Sequence, residues 1–364
     1  MKKNRILYMV LVTISLFLFS TSSSNAVENI FYIDGASFPF SGPSTIISLD
    51  DGLSMAVINR ISKKIFKIKH NQIVLERVFE NFEPFDLLAV NGELFVSCKS
   101  CGDVKVLSQV DFSLIKTIPI NKSATYMALS SDKTRIYVAS PLKSADTIGV
   151  INIASKTLLS PPIYAFELNL VNKLLSHNGK LFATSQISTS IAIFNEKTGK
   201  NEGKYSFGLI PDDMVVTDTH LYLSSIEEQL IRIVDLQSFE KVKDIPFNGS
   251  PGRMVFDGNQ YIYVLNNERT GKVFRLDINT DEFDDVSCFQ SGGCFYTGAN
   301  PEDAVISKDG KVLYVSNYSD NSVTWHFISG KLFIEPRTIT LKPVNDAPQT
   351  GSSENAIKLK AGGG

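Results

Sequence analysis

The sequence predicts an all-β fold, a seven-bladed β-propeller with four antiparallel strands per blade, spanning residues 27–341. Three observations predict it. One short packet recurs seven times, as Met55-Ala56-Val57, Leu94-Phe95-Val96, Ile136-Tyr137-Val138, Leu181-Phe182-Ala183, Leu221-Tyr222-Leu223, Ile262-Tyr263-Val264 and Leu313-Tyr314-Val315. The packet centres are separated by 39, 42, 45, 40, 41 and 51 residues, a spacing that suits one four-stranded unit per repeat. Every packet also has similar surroundings, and none lies on a 3.6-residue apolar stripe.

Within a unit, each strand follows from its own residues. A short apolar strand precedes the packet, as in Leu87-Leu88-Ala89-Val90, Met214-Val215-Val216 and Ala304-Val305-Ile306. A hairpin turn joins the two, as at Asp51-Gly52, Asn91-Gly92, Asn178-Gly179, Asp257-Gly258 and Asp309-Gly310, because Gly and Asn tolerate the positive φ that tight turns require. A third strand with period-2 alternation follows, as in Ile191–Phe194, Ile231–Val234 and Val273–Leu276. The fourth is more polar, as in Leu114–Ile120 and Lys241–Phe247; its charges, with Pro119 and Pro246, suit an outer edge that must not pair with another molecule. A β-sandwich would space its strands hairpin by hairpin and would not repeat a common unit. Ile30–Ile33 precedes the first unit and is expected to lie beside the last blade and help close the ring.

The rest of the chain divides by composition. Of 364 residues, 43% are apolar and 20% charged, within the range of ordinary globular proteins. No run reaches the ~18 consecutive apolar residues of a membrane-spanning helix. Residues 1–26 read as a signal peptide: Lys2, Lys3 and Arg5, then a 14-residue apolar stretch from Ile6 to Phe19, then Ser24-Asn25-Ala26 before the cut. Removing them leaves 33 Lys and Arg against 38 Asp and Glu, a net charge of −5. That balance, without a basic run, argues against a nucleic-acid partner. Residues 342–364 are expected to form a flexible tail, and Val344-Asn345-Asp346-Ala347-Pro348 within it is similar to the junction motif of cadherin-like extracellular repeats.

One stretch resembles a known family. Pro301-x-x-Ala304-Val305-x-Ser307-x-Asp309-Gly310-x-x-Leu313-Tyr314-Val315-Ser316-Asn317 is similar to the YVTN-type repeat of seven-bladed propellers, a group with surface-layer-associated, YncE-like periplasmic and lactonase-like members. The likeness covers about residues 44–341. Its closing Asn is kept at Asn59, Asn266 and Asn317 and replaced by Cys98, Ser140, Ser185 and Ser225. Such a resemblance implies the fold and leaves the function open, because propellers host unrelated activities.

Candidate chemistry lies in the loops that lead into the innermost strands, Glu83-Pro84-Phe85-Asp86, Pro211-Asp212-Asp213, Pro251-Gly252-Arg253 and Pro301-Glu302-Asp303. By repeat equivalence Asp86, Asp213, Arg253 and Asp303 should face a common axis as a ligand-binding ring. Carboxylates brought together repel one another, so Asp86, Asp213 and Asp303 would favour a hard cation such as Ca²⁺ or a cationic ligand. The alternative is that each acid accepts backbone N–H groups at its own turn. No other cofactor is implied.

Cys98, Cys101, Cys288 and Cys294 fall as two close pairs in a chain expected to be exported, which suits two local disulfides; a redox-active Cys-x-x-Cys and a four-cysteine zinc site are the alternatives. His70, His177, His220 and His326 lie in four units without metal-ligand spacing and are expected on surfaces and loops, while Trp325 is expected in blade packing. There is no nucleophile elbow and no phosphate-binding Gly loop. The sequence therefore points to a periplasmic, cell-surface or secreted monomer that binds a protein, glycan or small polar ligand. The alternative is a lactonase-like hydrolase with Asp213 as general base and Arg253 as polarising group.

Overall fold

In a computed structural model, the residues described are 42–340 apart from 70–71, 121–122, 141–146, 166–167, 169, 285–293 and 329–336. Among them the chain forms seven antiparallel sheets in sequence order: blades 1 (43–78), 2 (84–119), 3 (127–164), 4 (171–206), 5 (213–246), 6 (251–296) and 7 (301–340). There is no helix among them. In every blade the strands pair in chain order from first to fourth. Each first strand contacts the first strands of the blades before and after it, and that of blade 7 contacts that of blade 1, so the ring is closed around an axis lined by first strands.

The hydrophobic core lies between blades. Each second strand alternates, so that its two faces bury into different neighbours. In blade 2, Leu94 and Val96 pack with Leu49, Ala56 and Ile58 of blade 1, while Phe95 packs with Ile136 and Val138 of blade 3. Seven clusters of this kind appear among the described residues, one at each junction; at the closing seam Val323, Val305 and Tyr314 of blade 7 meet Ile46, Met55, Val57 and Phe66 of blade 1. The fourth strands of blades 2 and 5, Leu114–Pro119 and Lys241–Pro246, are exposed along most of their length, as their polar sequences require. Asn91 and Gly92 take φ of 54° and 75°, as do Asn178 and Gly179 at 48° and 75°, the conformation expected of these turns.

Blade 6 accounts for the long final interval. Its outer position is filled by two pieces, Glu282–Phe283 and Cys294–Tyr296, which both pair with the third strand Lys272–Asp277. The fourth place of blade 7 is taken by Arg337–Thr340. The closing strand expected at Ile30–Ile33, the signal peptide expected at 1–26, the tail expected at 342–364 and the expected Cys288–Cys294 pairing lie outside the described residues. Cys98 and Cys101 sit at disulfide distance, with Cα atoms 5.5 Å apart. Trp325 is buried as expected. His326 corrects the expectation for histidines: it is buried beside Phe295, and burial lowers its pKa to about 3, so the ring is kept neutral.

Polar bonds join neighbouring blades near the axis. Asp86 Oδ2 accepts from Met127 N of blade 3 (2.7 Å), Asp213 Oδ2 from Met254 N of blade 6 (2.9 Å), and Asp303 Oδ2 from Ile46 N of blade 1 (3.1 Å). A serine accompanies each acid: the N–H groups of Asp86, Asp213 and Asp303 donate to Ser97, Ser224 and Ser316 Oγ. Ser224 Oγ in turn donates to Gly252 O (2.8 Å) and Ser316 Oγ to Ser44 O (2.7 Å), both on the next blade. Ser316 and Asp303 thus fasten the seam where the last blade meets the first. We expect Ser316→Ala to destabilise the protein by about 1–3 kcal/mol, because buried partners lose their hydrogen bonds. Urea unfolding checks this, with the exposed Ser113→Ala expected to leave stability nearly unchanged.

Candidate functional site

One end of each first strand contributes a residue to the axis. Lys173, Asp213 and Asp303 lie opposite Thr184, Ser224 and Ser316 in the ladder, and the Asp86 N–H bonds Ser97. Thr45, Tyr126 and Arg253 hold the matching place in blades 1, 3 and 6. In ring order the seven are Thr45, Asp86, Tyr126, Lys173, Asp213, Arg253 and Asp303. In blades 1, 2, 4, 6 and 7 the ladder slips at this end of the first strand, an irregularity that bends the strand and re-aims its side chains.

Six of the seven line a cavity of about 110 Å³, together with Ser44, Leu87, Met127, Arg60 and Glu302. The seventh, Asp213, is fully buried behind them and holds two of the cations: its Oδ1 accepts from Lys173 Nζ at 2.7 Å and from Arg253 Nη1 at 3.3 Å. At the rim, Arg60 and Glu302 approach to 3.9 Å. Arg60 also lies over the Phe85 ring at 4.3 Å, and Phe85 meets the Tyr126 ring edge-on at 5.1 Å. The guanidinium of Arg253 is 5.6 Å from the centre of the Tyr126 ring. A second depression of about 340 Å³ adjoins, sharing Tyr126, Arg253 and Glu302 and adding polar groups such as Gln186, Asp212 and Asn267.

The three aspartates differ electrostatically because their neighbours differ. Burial pushes the Asp303 carboxyl up to about 6, against the pull of Arg253 and Lys173, with Asp86 adding repulsion. Burial likewise raises Asp86, although Met127 and Leu87 N–H groups bond its oxygens. At Asp213 burial acts in the same direction, but the charges of Lys173 and Arg253 outweigh it and hold the carboxylate below its usual range. Burial raises Asp212. The charge of Asp213, with that of Asp303, keeps Arg253 protonated despite its burial.

The four residues expected at the axis, Asp86, Asp213, Arg253 and Asp303, do converge. Three features differ from expectation. Asp213 lies between Lys173 and Arg253, apart from Asp86 and Asp303, and no group of three His, Cys, Asp or Glu among the described residues could hold a metal ion. Each acid bonds the backbone of the next blade rather than only its own turn. Asp213 has a lowered pKa and no exposed surface and supplies charge balance to Lys173 and Arg253; Asp86 and Asp303 are the carboxyls lining the cavity that burial raises. Sequence reasoning missed Lys173, Tyr126 and Arg60. Lys173 and Tyr126 share the register of the others, but their loops lack the Pro that marks Pro84, Pro211, Pro251 and Pro301. Counting back from the packets does not single them out, because register shifts make the interval vary from blade to blade; Arg60, from the loop after a second strand, carries no repeat signal at all.

No protein-family model matches the chain, and no curated protein matches it. Among solved structures it is similar to Kuenenia stuttgartiensis hydrazine synthase, with a TM-score of 0.70 and 18% identity over 82% of this chain and 99% of that one. It is also similar to a functionally unknown protein from Desulfotomaculum acetoxidans, with a TM-score of 0.63 and 14% identity over 80% and 100%. The Pan2 WD40 domain of Neurospora crassa gives 0.64 and 11% over 81% and 91%. At these identities the likeness establishes the propeller fold.

Two variants test the electrostatics. Asp213→Ala leaves Lys173 and Arg253 without their shared counter-ion, and we expect a loss of about 3–5 kcal/mol in urea unfolding. Asp303 behaves oppositely. Its pKa is raised on folding, so its contribution to stability is present below about 4 and is lost as pH rises through about 6. Asp303→Asn keeps an acceptor for Ile46 N and removes the charge. Its melting temperature should exceed that of the parent at pH 7 and converge with it at pH 4.

Proposed function

We propose that this chain is an exported propeller of the YVTN-type, YncE-like kind that binds a small polar ligand at the axial cavity, in the periplasm, at the cell surface or outside the cell. The observation that carries the reading is the ring itself: six of seven equivalent positions line one small cavity, and the seventh holds two of its cations. Lys173 and Arg253 balance the buried Asp213 that fastens one seam, and each keeps N–H groups beyond that pairing which closure of the ring does not use. Export rests on the residues 1–26 pattern, and the kinship on the Pro301–Asn317 pattern. The cavity volume is below the ~300–1,000 Å³ of sites for drug-sized ligands, which favours a compact ligand over a glycan chain or a protein segment at this point.

A hydrolase is the second reading, favoured by one observation: Asp303, raised to about 6, shares the cavity with Arg253. A carboxylate of that pKa suits a general base, and a guanidinium suits a developing oxyanion.

A thermal-shift screen of small polar metabolites separates the readings. Binding predicts a dose-dependent rise in melting temperature that Arg253→Ala weakens about tenfold or more in affinity, and no turnover of lactones or esters. Turnover abolished by Asp303→Asn would support the hydrolase instead. Ca²⁺ belongs in the same screen, and the Lys173 and Arg253 charges beside the acids predict no shift with it.

A further inference from the structure

The order of charges around the ring is not random with respect to its geometry. Asp86 and Asp303 come from blades 2 and 7, which flank blade 1. Lys173 and Arg253 come from blades 4 and 6, which flank blade 5. In a ring of seven, blade 5 lies almost opposite blade 1, so the cavity has a carboxylate wall facing an ammonium and guanidinium wall.

Both walls retain hydrogen-bonding capacity. Lys173 and Arg253 each contact Asp213 Oδ1 alone among the carboxylates within ion-pair distance of described residues, leaving further N–H groups on each. Asp303 uses Oδ2 for Ile46 N, and its other oxygen takes no hydrogen bond among described residues. Arg60 and Glu302, the remaining charged groups lining the cavity, offset one another at the rim. Tyr126, over which Arg253 lies, links this cavity to the adjoining depression, where a substituent of the ligand has room.

We propose that the axial cavity takes a small zwitterion, an ammonium carboxylate of α-amino-acid size, with its carboxylate on Lys173 and Arg253 and its ammonium on Asp86 and Asp303. This rests on the binding reading above and narrows it. A ligand with one charge would satisfy one wall and leave the other desolvated, whereas a zwitterion matches both, which is where charge-assisted hydrogen bonds are strongest. It also places a cation beside Asp86 and Asp303, the two cavity carboxyls that burial disfavours as anions.

The test is calorimetric titration of the purified protein at pH 7 with glycine and alanine as zwitterions, acetate as the lone anion, methylamine as the lone cation and glucose as a neutral polar control. The expected result is saturable binding of a zwitterion, with acetate and methylamine at least about tenfold weaker. The double variant Asp86→Asn with Asp303→Asn keeps acceptors for Met127 and Ile46 N–H. It should lose zwitterion affinity about tenfold or more and gain on acetate. Lys173→Gln, the check should that variant not fold, should weaken glycine and acetate alike. Acetate binding the parent as tightly as glycine, or zwitterion binding unchanged in the variants, overturns the proposal. Binding of glucose alone, lost in Arg253→Ala, defeats the zwitterion and leaves the binding reading standing. No binding by any of the five, and none in the wider metabolite screen, defeats both.

Discussion

Much of this structure depends on a hydrogen bond that crosses from one blade to the next. A single blade is a four-stranded sheet with two apolar faces, and the side-chain clusters between blades supply most of the burial; they are greasy and tolerant of sliding. What sets how one blade meets another near the axis is directional: an aspartate oxygen, or a serine hydroxyl, placed on the backbone of the neighbour. The bond from Asp303 to Ile46 N spans 257 residues of sequence and joins the two ends of the described chain. Loop-closure entropy opposes a contact so distant in sequence, and the apolar seam of blades 7 and 1 offsets it.

These aspartates cannot be buried at the axis without consequence. A desolvated carboxylate must be paired, bonded or neutral, and the ring shows different solutions side by side. Asp213 is paired with two cations and is ionised. Asp86 takes two backbone N–H groups. Asp303 has one such bond, and burial raises its carboxyl as it does that of Asp86. The same side chains that fasten blades therefore also line the polar cavity, and Thr45, Tyr126, Lys173 and Arg253 at the remaining equivalent positions make it asymmetric. That asymmetry is what sets the axial cavity apart from the sevenfold scaffold around it.

The legibility of the site follows from how local each signal is. Asp86, Asp213, Arg253 and Asp303 stand two residues after a Pro at or just before the start of the first strand, so the repeat exposes them. Lys173 and Tyr126 have the same place without the Pro, and their role emerges only when strands are aligned by hydrogen bonding. The burial of His326 was invisible for a similar reason: period-2 alternation leaves open which face meets Phe295, a residue on the interrupted outer strand of blade 6. Electrostatic character was less legible still, because three identical aspartates acquire different pKa values from partners on other blades.

By itself the sequence determined the fold class, the number of blades, the strand order within each and most of the residues that point at the axis, because all of these are set by periodicity and turn chemistry inside one repeat of about 43 residues. Tertiary structure decided what lies between repeats: which carboxylate is sealed behind two cations, which two are raised by burial, and where acids and cations stand around the cavity. Those outcomes depend on distances across blade junctions, where residues 40 or more positions apart come within 3 Å, and no one-dimensional period encodes such distances.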